Sequence, residues 1–328
     1  MNLELGKALW VHTTAWRGLY MRGKHCVTRL VTRASPVTLV MLLIGTSAHA
    51  TEGGGSLFPL GIENFAVGPI PPPGWYGSVY YYSYSADKSR DDAGNEVPNN
   101  LKIDGNVIAP RFLLVADREI LGGVLLAQVV PSVVHTRVAL DTAPGVRQRD
   151  SKFALGDLLV GVGIGYQHSE KSAGAIGMDV FAPTGSYHVN DLANTSRNYW
   201  GVASTYTFDY VDQVGFNFST KVSYGFNFKN PDTNYRSGQE LIIDYSAGWG
   251  LNNGWTLGVG GHIYQQTTND KQNGRTLVDR KGRAFAVGPS LKYDSGKGWM
   301  VSVKYSPEFG VRNRSDGSVA VVRLVMPL

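Results

Sequence analysis

Ten ionisable residues stand out by where they sit: Asp157, Asp179, Asp209, Lys221, Asp244, His262, Lys292, Lys304, Glu308 and Arg323 occupy alternate positions in otherwise apolar segments. In a strand, alternate residues share a face, so these charges share a face that the apolar residues do not. Such a set can line a water path and bias ion passage, or it can pair internally and stiffen the interior. The signs are balanced, which argues against strong selection for cations or anions, and both readings stay open. Four histidines, His135, His168, His188 and His262, lie near Ser or Asp residues and could in principle make a lipid-hydrolysing dyad. No spacing links them. The chain carries no G-x-S-x-G elbow, P-loop, H-E-x-x-H helix motif or cysteine pair. No enzyme, cofactor or metal constellation is therefore expected, and unrelated surface histidines are the simpler account.

The elements that would hold these side chains are strands. Of the 328 residues 43% are hydrophobic and only 17% charged, with 40 glycines and 17 tyrosines, against about 25% charge and about 7% glycine in ordinary domains. No run of 18 apolar residues could span a bilayer as a helix. The fold class expected is all-β. Period-two alternation predicts twelve strands, at 75–86, 100–115, 121–140, 154–169, 173–183, 199–210, 214–228, 238–250, 255–268, 283–294, 299–309 and 318–328. The third is too long for one regular strand and contains Pro131, where a bend or bulge is expected.

Connections after the odd strands read as long and polar, as in residues 87–99 and 269–282, and those after the even strands as tight, as in Asn252-Asn253-Gly254. All long loops at one end, an even strand number and apolar outward faces describe an antiparallel transmembrane β-barrel of the outer membrane, short turns toward the periplasm. The faces agree: Trp299, Val301, Val303, Tyr305 and Phe309 alternate with Met300, Ser302, Lys304, Ser306 and Glu308. Val301→Arg should then disrupt folding while Ser302→Arg is tolerated. At the end of the chain Ala320, Val322, Leu324, Met326 and Leu328 form an outward apolar repeat of the kind read by the outer-membrane insertion machinery, with Leu where Phe is usual.

The net charge of +5 suggests nucleic acid until it is located. Of 31 basic and 26 acidic residues, six and one lie in the first fifty, which leaves 25 of each. No nucleic-acid partner is expected. The basic stretch reads as the start of a secretory signal peptide over residues 1–50: Arg22, Lys24, Arg29 and Arg33, an apolar core at 37–44, and Ala48-His49-Ala50 as cleavage site, with Met1 or Met21 as start. Cys26, the one cysteine, falls inside it. Export to the outer membrane of a Gram-negative bacterium follows, with its lipid as partner.

Residues 51–74 are glycine-rich, then carry Phe58, Leu60, Ile62 and Phe65, and end in three prolines. The segment is too apolar to hang free, so it forms either a plug in the lumen or a periplasmic cap, ahead of the barrel at 75–328. Twelve strands about 4.8 Å apart and tilted about 40° enclose a backbone diameter of roughly 24 Å, about 14 Å of it free of wall side chains.

Leu57-Phe58-Pro59-Leu60-Gly61-Ile62-Glu63 with Pro71-Pro72-Pro73-Gly74, Phe181-Ala182-Pro183-Thr184-Gly185-Ser186-Tyr187, Asn198-Tyr199-Trp200, the stretch 237–254, Lys297-Gly298-Trp299 and Glu308-Phe309-Gly310 resemble the outer-membrane protein family named for the meta-cleavage (MetA) pathway of phenol degradation. The resemblance covers essentially the whole chain after the leader. It implies an outer-membrane barrel that passes small hydrophobic or aromatic solutes. A lipid-acting enzyme and a non-conducting structural barrel are the alternatives.

Overall fold

The computed structural model describes residues 52–66 and 70–328; the leader, its cleavage residues Ala48 and Ala50, and Cys26 lie outside the described residues. The strands are β1 (Gly74–Ser89), β2 (Lys102–Ile120), β3 (Gly123–Val130), β4 (Val133–Ala143), β5 (Val146–Leu155), β6 (Leu158–Ser169), β7 (Ser172–Ala182), β8 (Gly201–Tyr210), β9 (Val214–Asn227), β10 (Lys229–Asn230), β11 (Tyr235–Arg236), β12 (Glu240–Leu251), β13 (Trp255–Gln266), β14 (Asp270–Gln272), β15 (Arg275–Leu277), β16 (Arg283–Asp294), β17 (Met300–Arg312) and β18 (Ser315–Pro327). Twelve of them close an antiparallel barrel, in the order β1, β18, β17, β16, β13, β12, β9, β8, β7, β6, β3, β2 and back to β1. Closure leaves no unpaired edge in the hydrocarbon, where an unpaired backbone group would cost several kcal/mol. These twelve correspond to the twelve read from the alternation.

Pro131 divides the long third segment. It has no N–H to give to a ladder, and the chain changes neighbours there: β3 pairs with the lower half of β2 and with β6, whereas β4 pairs with the upper half of β2 and with β5. The fork is stitched by Gly156, whose N–H donates to the Ser132 carbonyl at 3.0 Å. A Cβ at Gly156 would stand 2.4 Å from Ser132 Oγ, so the close approach requires glycine. Residues 146–153, read from sequence as loop, thus belong to a strand, β5, that extends the wall beyond the barrel proper.

Turns at one end are short: two residues between β2 and β3 and between β6 and β7, three between β8 and β9 and between β12 and β13. At the other end lie the long connections 90–101, 183–200, 228–239 and 267–282, and two of them contribute β10, β11, β14 and β15 to a small four-stranded sheet. One expected long loop is absent. After β17 the turn is only Asn313-Arg314, because this polar run is folded inward: Asn313 Nδ2 donates to the carbonyls of Asp279 and Lys281, and Arg314 is buried. Polarity marked the stretch as loop, but its partners lie inside the protein.

Aromatic residues gird both ends of the outer wall. Trp255, Tyr293 and Trp299 are in contact beside the short turns, with ring centroids 4.9 and 5.6 Å apart along the row; Phe285 and Phe309 meet at 5.9 Å nearer the long loops. Val301, Val303 and Tyr305 face outward between them while Met300, Ser302, Lys304 and Ser306 are buried. An apolar outside and a polar inside match a barrel whose solvent is lipid.

Candidate functional site: the barrel lumen

Residues 52–66 and 70 run along the lumen from the long-loop end to the short-turn end. Asn230 donates to the Glu52 carboxylate among the long connections at 2.8 Å, and the Ile70 N–H donates to Gln167 Oε1 near the β6–β7 turn at 3.0 Å. A segment with no strand to pair with must still satisfy its backbone groups, and the wall does this with side chains. Leu57 N–H donates to Glu240 at 2.9 Å, Gly61 N–H and Glu63 N–H to the two oxygens of Asp244 at 2.9 Å each, and Ala66 N–H to Ser219 Oγ at 2.9 Å. Cations serve the carbonyls: Lys304 donates to Glu63 O, Arg323 to Phe65 O, and Lys292 to Ala66 O at 3.3 Å. Asn64 Oδ1 accepts from Ser246 at 2.9 Å and Ser290 at 2.6 Å.

Side chains of the segment complete the packing. Leu57, Phe58 and Leu60 join Phe181, Ala203, Ile242, Tyr264, Ala284 and Val311 in a buried apolar cluster, with Phe58 edge-on to Phe181 at 4.7 Å and the Lys221 ammonium 4.7 Å above the Phe58 ring. Ile62 packs on a second cluster of Tyr82, Val319 and Val321, and Phe65 is 1% exposed. Gly61 has φ +73°, and a Cβ there would lie 2.8 Å from His262 Nδ1. The roughly 14 Å of free lumen anticipated from strand number is therefore partly filled.

What is left open is a cavity of about 540 Å³ in the short-turn half. Ile70, Pro71 and Pro72 bound it on one side, and Leu113, Val115, Leu126, Ala173, Ala175, Gly161 and Gly163 on the other. Small side chains on β6 and β7 make room for it. Two clusters of three stand among its polar groups: Glu63 with Arg323 at 3.0 Å and Arg111 at 3.5 Å, and Asp179 with Gln128 at 2.6 Å and Lys221 at 3.4 Å. Phe181, the inward position on β7 next above Asp179, meets Phe58 and narrows the way toward the long-loop end.

Of the ten ionisable residues singled out by alternation, Asp179, Asp209, Lys221, Asp244 and Arg323 border the cavity. His262, Lys292, Lys304 and Glu308 are buried inward on the opposite wall, where His262 Nε2 lies 3.2 Å from Glu308. Asp157 departs from the expectation. It precedes β6 and accepts the backbone N–H groups of Gly185 at 3.1 Å and Arg197 at 2.8 Å, shaping the β7–β8 connection instead of lining the lumen. Arg111, Gln128 and Glu240 were missed although their parity was available, Glu240 lying four residues before Asp244 on one face. Glu63 and Arg314 were missed because no alternation marks a residue outside a strand.

The four histidines occupy separate places. His135 faces outward, 3.4 Å from Ser151 Oγ; His168 stacks on Phe208; His188 sits in the β7–β8 connection, 3.4 Å from Asp191; His262 is in the lumen. Among the described residues no group of three His, Cys, Asp or Glu could hold a metal ion. In the long connections, burial pushes the Asp270 carboxyl up to about 6 in spite of hydrogen bonds from Tyr235, Gly238 N–H and Gln266, and pushes the Tyr199 hydroxyl up to about 12.

Residues 86–324 match the family model described as "Putative MetA-pathway of phenol degradation". No curated protein matches the chain by sequence. Among solved structures, the outer membrane channel of Pseudomonas putida F1 is similar at 16% identity and a TM-score of 0.68, covering 81% of this chain and 100% of that one. At that identity the likeness establishes the fold. The transport unit of the autotransporter AIDA-I from Escherichia coli (10% identity, TM-score 0.45, 86% and 98% covered) and the CymD monoaromatic hydrocarbon channel (10%, 0.41, 78% and 89%) are similar only as barrels.

Proposed function

The chain belongs to the outer-membrane protein family of the MetA pathway of phenol degradation, and from that premise we propose that it is a passive channel for small hydrophobic or aromatic compounds. One observation carries the reading: the lumen holds a cavity of about 540 Å³ whose wall combines Ile70, Leu113, Val115, Leu126 and small Ala and Gly positions with the charged groups of Glu63, Arg111, Asp179 and Arg323, a size and mixed lining suited to a small ligand. The similar solved structures include outer membrane channels, one of them for monoaromatic hydrocarbons, which accords with this reading without assigning a solute.

In this reading the segment at residues 52–66 is a plug. Phe58, Leu60 and Ile62 pack on apolar wall residues such as Phe181, Ile242, Val319 and Val321, and the charges that line the lumen serve chiefly to seat the plug: Glu240 and Asp244 on its N–H groups, Lys292, Lys304 and Arg323 on its carbonyls. Export by the leader at 1–50 and delivery by the insertion machinery through the apolar repeat 320–328 belong to the same proposal. No catalytic role is assigned, since the histidines are dispersed.

Deleting residues 53–70 tests it, because the first barrel strand begins only at Gly74. The barrel should fold, small-ion conductance in planar bilayers should rise, and preference for aromatic over equally sized polar solutes in liposome swelling should fall. A folded deletion variant with both properties unchanged would place the segment outside the route.

A further inference from the structure

The fork at Pro131 turns a second surface outward. Above it, on the long-loop side, β2, β4 and β5 are in register so that Ile108, Val133 and Leu155 form one outward row, Asn106, His135 and Phe153 the next, Asp104, Arg137 and Ser151 the third, and Lys102, Ala139 and Arg149 the fourth. The lower rows are lipid-like in exposure: Ile108 is 52%, Leu155 63% and Phe153 74% exposed. The upper rows are cationic, and a recess of about 420 Å³ lies among Lys102, Arg137 and Arg149.

Those three side chains have no hydrogen-bond or ion-pair partner among the described residues, whereas neighbouring Arg147 is engaged by Asp141 at 2.8 Å. Asp104, across from Arg137, is bonded to Ser85 Oγ at 3.3 Å, and Asp150 in the recess accepts the Ala193 N–H at 2.9 Å. Successive rows are two residues apart, about 7 Å along the strand, so Arg137 lies about 7 Å and Lys102 and Arg149 about 13 Å along the strands beyond the Phe153 row. The cations therefore stand about one headgroup layer above the exposed Phe153 ring, where a bilayer passes from hydrocarbon to headgroup.

We propose that this face binds a phosphate-bearing lipid of the outer leaflet, with its phosphates on Lys102, Arg137 and Arg149 and its acyl chains along Ile108, Phe153 and Leu155. The proposal rests on the outer-membrane placement of the barrel and is independent of the solute route through the lumen. Charge and apolar surface in this vertical order suit an amphiphile that carries both. A soluble anion would have no use for the lower rows.

The experiment uses the full chain in detergent micelles, titrated with lipid A carrying two phosphates and read by native mass spectrometry. The combined variant Lys102→Gln, Arg137→Gln, Arg149→Gln should lose about fivefold per cation, on the order of a hundredfold in all. All three sites are exposed, and heat-shifted gel mobility checks that the variant folds. Lipid A stripped of phosphate should bind the unmodified protein as weakly as the variant binds the intact lipid, and excess inorganic phosphate should not displace the lipid. Retention by the triple variant within twofold of the unmodified protein would overturn the proposal, as would displacement by inorganic phosphate, which would reveal a free-anion site. Lys271→Gln, on the small loop sheet, should leave binding unchanged.

Discussion

Replacing Val303 by Arg tests the facing of the wall most directly. Trp299, just before β17, and Phe309 on its outer face mark the two interfaces, ten residues apart. With a rise of about 3.3 Å per residue and a tilt of about 40°, each residue climbs about 2.5 Å along the membrane normal, so the ten span about 25 Å, the height of an outer-membrane apolar band. Val303 lies about 10 Å from the Trp299 level, close to the midplane. An Arg there should cost about 2 to 4 kcal/mol, a shift of about thirty to several hundredfold in the folding equilibrium. Val301 is only about 5 Å from the girdle, and Arg at that position should cost distinctly less. The inward comparison cannot be Ser302, as parity alone would suggest. Ser302 is 1% exposed and pairs across the sheet with Lys292 and Arg323, so a third cation there would be buried against two others. Thr205 on β8 is the suitable control: it borders the cavity and lies diagonal to Asp179. Thr205→Arg should cost under about 1 kcal/mol. Urea unfolding in lipid vesicles, followed by tryptophan fluorescence, gives the three values. If Thr205→Arg lost as much as Val303→Arg, the assignment of inside and outside would be wrong.

Gly61→Ala forces a left-handed residue to carry a Cβ 2.8 Å from His262 Nδ1; it should weaken seating of the lumen segment by about 1 to 2 kcal/mol and raise open-channel current more than it lowers barrel stability. Asp270 binds its proton more tightly in the fold, at about 6 against an ordinary 3.8. The folded state is therefore favoured while the group is protonated below about pH 3.8, that advantage is lost as pH rises to about 6, and nothing further changes above. Hydrogen exchange in residues 228–239 and 267–282, corrected for intrinsic rate, should quicken over this window, and Asp270→Asn should abolish the trend. Cysteines placed in residues 90–101 or 267–282 should react with impermeant maleimide on intact cells, while one at Asn253 should react only after the outer membrane is opened; labelling in the reverse order would invert the topology.

Twelve strands, their inward and outward faces and the segregation of most long connections were legible without coordinates, because lipid imposes a local rule. Each outward position must be apolar whatever its distant partners are, so alternation in β9, β13 and β17 reports the medium directly. Of the ten charges the same rule singles out, nine lie on inward faces; Asp157 does not, because β6 begins only after it, and Arg111 and Glu240 are inward charges outside the ten.

What those charges do was decided by contacts far apart in sequence. Asp244 meets Gly61 across 183 residues and Arg323 meets Phe65 across 258; nothing local to Asp244 says whether it faces water, a cation or the backbone of another segment. The fork at Pro131 and the buried Asn313-Arg314 turn have the same origin. Proline announced an irregularity, and the tertiary structure chose which neighbour each half would take; polar residues announced a loop, and buried partners drew it inward. The sequence by itself thus determined which medium each strand face meets. Only the closed barrel decided what fills the lumen, because that depends on which groups closure brings within hydrogen-bonding distance.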